Sequence, residues 1–254
     1  MVEIRYVALG DSFTEGVGDD LPDGRVRGWA DLVAEGLAAA AGGPVRYANL
    51  AIRGRLLGPI IDEQLPAALA LEPTLVTFNG GGNDILRPRS DPRLLLDRLS
   101  AVIDSVAASG AQLVLLSGAN PTAGLPMQAR IEAKGDLLNT HVAELARERG
   151  VLFADTWSDR ELARSPYWSR DRLHLGPVGH HRVAARVLAT LGYEHPADWI
   201  VDAPGGESVV RFRDELAYYR EHVVPWIQRR LTGRSSGDGR VAKFGSWTDI
   251  APRG

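Results

Sequence analysis

The sequence predicts an α/β fold in three layers, with a central parallel sheet of about five strands, helices on both of its faces and a C-terminal helical extension. Three observations predict it. Short unbroken apolar runs recur as far as Ala154, the pattern of parallel strands buried on both faces. Stretches of helical period lie between them, punctuated by Gly and Pro. The two kinds of segment alternate about five times, which calls for a parallel sheet covered on both sides.

The first strand is Ile4 to Leu9, and it stops abruptly at Gly10-Asp11-Ser12. A loop through Gly16, Gly18 and Gly24 precedes a helix that starts near Gly28. Its apolar positions Trp29, Leu32, Val33, Leu37 and Ala40 share one face, and Gly42-Gly43-Pro44 ends it. Val45 to Leu50 is the second strand and delivers the chain to Gly54. A helix follows from about Pro59 to Leu71, which Pro66 is expected to split or kink. Thr74 to Phe78 is the third strand, running into Gly80-Gly81-Gly82-Asn83-Asp84.

The next helix has Asp91 at its N-cap, Pro92 in its first turn and Gly110 as its stop. Gln112 to Leu116 is the fourth strand. A loop with Pro121, Gly124 and Pro126 leads to a helix over Gln128 to Arg149, ended by Gly150, and Val151 to Ala154 is the fifth strand. After the loop from Asp155 to His174, a last helix starts at Gly176-Pro177 and reaches Leu191. Val209 to Leu231 again carries apolar residues at helical spacing, interrupted by Pro225. The expected division is therefore a main domain over 1–192, a helical extension packed on it over 193–231, and a flexible tail over 232–254 that starts with a Gly/Ser/Arg stretch.

Composition removes several classes of function. A formal net charge of -3 argues against a nucleic-acid or anionic-membrane partner, since both favour a basic face. Without cysteine there is no disulfide framework, thiol nucleophile or thiolate metal site. No apolar run approaches the ~20 residues that span a bilayer, and the first apolar run is already a strand rather than a leader. The expected compartment is the cytoplasm. Nucleotide-binding and zinc-protease signatures are absent, as is the Gly-x-Ser-x-Gly elbow, and no cofactor and no metal are implied.

Gly-Asp-Ser alone is ordinary turn chemistry. Its interest comes from three distant patches, Asn49-Leu50-Ala51-Ile52-Arg53-Gly54, Gly81-Gly82-Asn83-Asp84 and Asp171-Arg172-Leu173-His174. Over roughly Val2 to Leu191 the chain resembles the SGNH (GDSL-type) hydrolases, whose four blocks carry a Ser, a Gly, an Asn and a His, here Ser12, Gly54, Asn83 and His174 in family order. The resemblance implies an SGNH/flavodoxin-like fold and a serine esterase or acylhydrolase acting on a small-molecule ester. It further implies an oxyanion hole made by the Ser12 and Gly54 backbone N–H groups and the Asn83 amide.

Serine is a poor nucleophile at neutral pH unless a base lies within hydrogen-bond reach and a carboxylate orients that base. Asp171 and His174, three residues apart, supply both from one turn. The bland alternatives are a surface Asp-His pair, turn glycines and a capping Asn83. Asp11 and Asp84 are expected to brace their turns. The other histidines, His141, His180, His181, His195 and His222, lie outside the blocks and are read as structural. A thioesterase or a carbohydrate deacetylase would use the same machinery, and a non-catalytic binding domain would be free to lose one of the four blocks, yet none is lost.

Overall fold

The structure is a computed structural model and describes residues 3–87, 89–121, 127–200 and 236–252. In chain order the elements are β1 (Arg5–Leu9), a short α1 (Ser12–Glu15), a two-stranded ribbon of β2 (Asp19–Asp20) and β3 (Val26–Arg27), α2 (Trp29–Ala41) and β4 (Val45–Asn49). Next come α3 (Leu57–Pro59), a π-helical turn (Ile60–Gln64), α4 (Leu65–Leu69), β5 (Leu75–Asn79), α5 (Gly82–Ile85), α6 (Arg93–Ser109) and β6 (Gln112–Leu116). The series closes with α7 (Gln128–Arg149), β7 (Leu152–Ala154), α8 (Pro177–Thr190) and β8 (Phe244–Ile250).

The main sheet has six strands in the order β7-β6-β5-β1-β4-β8, so the chain first adds β4 on one side of β1 and then builds outward on the other. All pairings among the first five are parallel. Because successive side chains of a strand point to opposite faces, each apolar run divides between two cores. Tyr6, Ala8, Val45, Tyr47, Val114 and Leu116 pack under α2 and α8. Val7, Leu9, Ala48, Leu113 and Leu115 pack under the α3–α4 segment, α6 and α7. Tyr6 through Leu9 are wholly inaccessible, which explains why this strand reads as a continuous apolar run rather than an alternating one.

The expected helix of residues 59–71 is broken, as Pro66 suggested, but the irregularity precedes the proline. The backbone widens into a π turn at Ile60–Gln64, and Pro66 sits in the first turn of α4, where its missing N–H costs nothing. The N-cap of α6 is Pro92 rather than Asp91, although Asp91 Oδ1 still accepts from the Arg93 N–H at 3.0 Å one residue further out.

One expectation is extended and one is corrected. The sheet has a sixth strand, antiparallel, and that strand comes from the segment read as a flexible tail. Phe244–Ile250 pairs with β4 from Val45↔Ile250 to Asn49↔Phe244, with an irregularity between Tyr47 and Asn49. It shields the edge of β4, which would otherwise present unpaired backbone groups. Of the segment expected to form a helical extension, residues 193–200 are described and hold a 3₁₀ turn at Ala197–Ile200, whose buried Trp199 meets the His181 ring at 5.4 Å. The helical stretch Val209 to Leu231 lies outside the described residues. No helix among the described residues is long and apolar enough to cross a membrane.

Candidate active site

In open α/β sheets the ligand crevice forms outside the carboxyl ends of the strands where the strand order reverses, here between β1 and β5. Ser12 follows β1 and Asn83 follows β5, so the topology alone brings the two blocks together. Ser12 is the first residue of α1, and Asp11 caps that turn, with its Oδ1 accepting from the Phe13 N–H at 3.1 Å. The preceding bend is clamped by Gln64, which accepts from the Gly10 N–H and donates to the Gly10 carbonyl, both at 2.9 Å. This side chain therefore pairs with backbone as a neighbouring strand would, and it comes from the π turn.

Gly54 lies in the loop after β4 with φ 76°, a left-handed conformation that a side chain would strain. The loop is tied to the Ser12 turn from both sides. Ile52 N–H donates to the Gly10 carbonyl at 3.2 Å, and Glu15, at the end of α1, accepts from the Arg53 N–H at 2.7 Å and holds the Arg53 guanidinium at 2.5 Å. Glu15 is almost buried, and a carboxylate there is tolerable because backbone and guanidinium donors satisfy it together.

Asn83 Nδ2 donates to Asp11 Oδ2 at 2.9 Å and to the Arg55 carbonyl at 3.0 Å, so one amide joins all three blocks. Asp84 caps the start of α3 through the Leu57 N–H at 2.9 Å. Asp11 braces its own turn, as expected, whereas Asp84 holds the start of a different segment, α3.

Asp171 and His174 meet through a tight turn in which Arg172 takes φ 53°, a conformation costing a non-glycine residue about 1 kcal/mol. The turn is pinned by the Ser169 N–H on the His174 carbonyl at 2.8 Å and by the bridge between Trp168 and Leu175. His174 Nδ1 is 2.6 Å from Asp171 Oδ2. Asp171 Oδ1 accepts from the Ser169 hydroxyl and from the Leu173 and His174 backbone N–H groups, at 2.7, 3.0 and 2.9 Å. Burial by itself would raise this carboxyl, but the hydrogen bond and charge of His174 and these further donors outweigh it and hold Asp171 well below the usual carboxylate range. The surroundings of Asp171 thus favour its anionic form.

The opposite holds for Asp11. Burial pushes it up to about 6, against the pull of the Phe13 N–H, the His174 charge and the Asn83 amide, with Asp84 adding repulsion. Its folded value lies above its unfolded one, so this group favours the folded state fully below the unfolded value of 3.8, and that contribution is lost as pH rises through about 6. The expected result is that wild-type stability relative to Asp11→Asn falls by up to about 3 kcal/mol between pH 4 and pH 7. Urea melts of both proteins at those two pH values measure it, and parallel stabilities would show that Asp11 carries no such cost.

Ser12, Asn83 and His174 open on one cavity of about 130 Å³. Its interior is apolar, reaching Phe78, Leu99, Leu115, Ile131 and Val142 between the sheet and α6 and α7. Gly54 is not in its wall but stands next to Arg55, whose carbonyl Asn83 binds. The other described histidines are engaged elsewhere. His180 is fully buried, with Nδ1 accepting from the Trp29 N–H at 3.2 Å and Nε2 facing the Val17 carbonyl at 3.3 Å, and burial lowers it to about 4. Its neutral tautomer is thereby fixed, and its place is structural. His141 and His181 each bond a carbonyl four residues earlier through Nδ1. Gln64, Glu15 and Arg53 were not singled out from the sequence, and no local pattern marks them.

The crevice at the carboxyl ends of β1 and β5 thus gathers a serine, a side-chain amide and an Asp–His pair, and comparison with known proteins supplies the family. The chain belongs to the GDSL-like lipase/acylhydrolase family, whose model matches residues 8–182. A GDSL lipase of Mycobacterium tuberculosis (strain H37Rv) is 26% identical over 200 residues, covering 73% of this chain and 80% of that protein. The solved structure of TesA superposes with a TM-score of 0.58 at 25% identity, covering 74% of this chain and 97% of that one. An acetylxylan esterase from Geobacillus stearothermophilus, Axe2, shares the fold with a TM-score of 0.62 at 18% identity, over 79% of this chain and 98% of that one.

Proposed function

We propose that this hydrolase cleaves carboxylic esters through an acyl-enzyme on Ser12, with Asp171 and His174 completing the triad and the Ser12 N–H, Gly54 N–H and Asn83 amide forming the oxyanion hole. The observation that carries the reading is the His174–Asp171 contact behind a cavity that Ser12 and Asn83 share. With Nδ1 committed to Asp171, the Nε2 lone pair is the base. It takes the Ser12 proton as Oγ attacks the ester carbon and the carbonyl electron pair moves onto oxygen. Collapse of that tetrahedral species breaks the C–O bond, and the leaving alkoxide takes the proton from His174. Water then repeats the sequence and releases the acid.

The Asn83 amide hydrogens are directed at Asp11 and Arg55, and an oxyanion must draw one of them away. The apolar interior favours an aliphatic acyl chain over the acetyl group of an acetylated sugar. A cavity of about 130 Å³ is near the ~150 Å³ of an apolar cavity that accommodates benzene, which suits a short acyl chain.

A fluorophosphonate probe followed by peptide mass spectrometry tests the assignment. The adduct is expected on Ser12, and its formation is expected to slow when excess p-nitrophenyl hexanoate is present during labelling. A folded sample labelled at another serine, or at none, overturns it.

A further inference from the structure

The family match ends at residue 182, yet the chain returns to the Ser12 turn far beyond that point. Lys243, immediately before β8, extends inward under α1 and α2, where its side chain is 15% exposed. Its Nζ donates to the Glu15 carbonyl at 2.5 Å, to Asp31 Oδ2 at 2.5 Å and to the Val26 carbonyl at 3.3 Å, so all three ammonium hydrogens have an acceptor. Glu15 ends the turn that Ser12 begins, and its carboxylate binds Arg53, the residue before Gly54. Lys243 thus grips by the backbone the residue that ties the two blocks together.

The same segment touches the Gly54 loop directly. A Cβ on Gly237 would lie 2.2 Å from the Arg53 carbonyl, so the two backbones are in close apposition there. Phe244 pairs with Asn49, whose amide donates to the Thr14 carbonyl inside α1, and packs edge-on to Tyr47 at 5.8 Å. The guanidinium of Arg46 stacks over Trp247 at 5.0 Å and secures the outer end.

We propose that residues 236–250 form a clasp on the active site, in which Lys243 is a positioning residue that sets the Ser12 turn against the Gly54 loop through Glu15. The proposal rests on Ser12 being the nucleophile. Its physical content is that two oxyanion donors and a nucleophile on separate loops must keep their mutual spacing, and a misplacement of about 1 Å can cost ~100-fold in rate. An edge strand that only covered β4 would have no need of a buried ammonium beneath the catalytic turn. The ion pair with Asp31 uses one of the three ammonium hydrogens, and the other two go to backbone carbonyls, one of them at the end of the Ser12 turn.

The test compares wild type, Lys243→Met and Lys243→Met/Asp31→Asn. The double variant removes the buried charge that has lost its ammonium and is expected to regain stability without restoring the grip on the Glu15 carbonyl. Fluorophosphonate titration counts competent sites, and kcat on p-nitrophenyl hexanoate is taken per titrated site. The expected result is a loss in kcat of tenfold or more in both variants, KM within twofold of wild type, and a matching loss in the rate of labelling. A double variant that regains both thermal stability and wild-type kcat per site overturns the proposal and leaves Lys243 a structural ion pair. Wild-type protein labelled anywhere but Ser12 overturns the underlying assignment as well, so the two failures are distinguishable.

Discussion

Replacement of Ser12 or His174 by alanine is expected to lower kcat on a p-nitrophenyl ester by on the order of 10⁶, and replacement of Asp171 by on the order of 10⁴, while the double variant of His174 and Asp171 loses little more than His174→Ala alone. The non-additivity is the informative part. Asp171 acts in this reading only through the imidazole: it fixes the proton on Nδ1, holds the ring and stabilises the imidazolium. The 2.6 Å contact sets Asp171 Oδ2 against the imidazole, while the Ser169, Leu173 and His174 donors on Oδ1 hold the carboxylate in place. Once His174 is gone there is nothing left for it to orient. Measuring both single variants and the double on one activated ester checks this, and losses that multiply would place Asp171 outside the proton transfer. The orienting carboxylate would then be sought among Asp155, Asp159 and Glu161. Of these, Asp159 is already held by Arg182 at 2.7 and 2.9 Å.

The second large effect concerns Asn83. Asn83→Ala should lower kcat by ~100- to 1000-fold with KM little changed, because a donor to the oxyanion is needed mainly in the transition state. The same substitution also frees Asp11 from a donor and leaves that buried carboxylate less satisfied, so some loss of stability should accompany it. Asn83→Asp should be at least as damaging, since it would set a second carboxyl against Asp11. Kinetics at saturating and sub-saturating ester, with circular dichroism melts alongside, separate the two consequences. A loss confined to KM, or none, would remove Asn83 from the oxyanion hole and leave it as the brace between Asp11 and Arg55.

Most of the sheet was legible in the sequence because its strands are buried on both faces and each ends at a glycine or polar turn. Gln112–Leu116 and Gln128–Arg149 fall where the pattern puts them, and Leu75–Asn79 is displaced by one residue from the expected strand. The strand Phe244–Ile250 was not legible. Phe244, Trp247, Thr248 and Ile250 favour a strand, but Gly, Ser and Asp interrupt them and the strand sits half exposed on an edge, so no apolar run distinguishes it from a tail. The π turn was equally hidden: it ends two residues before Pro66, and nothing in its own sequence marks Gln64 as the side chain that reaches the Gly10 bend.

What the sequence by itself determined is the set of local geometries: a strand that stops at Gly-Asp-Ser, a glycine after β4, an amide at the turn after β5, and a carboxylate and imidazole three residues apart. Each follows from backbone rules within a few residues. The tertiary structure alone decided how these pieces are held in register. Asn83 finds Asp11 across 72 residues, Gln64 finds Gly10 across 54, Glu15 finds Arg53 across 38, and Lys243 finds Asp31 across 212. The reason is physical. A polar side chain leaves no periodic trace in the sequence when its partner is a backbone group or a lone residue on another loop, and its identity makes sense only once the sheet order has placed that partner beside it.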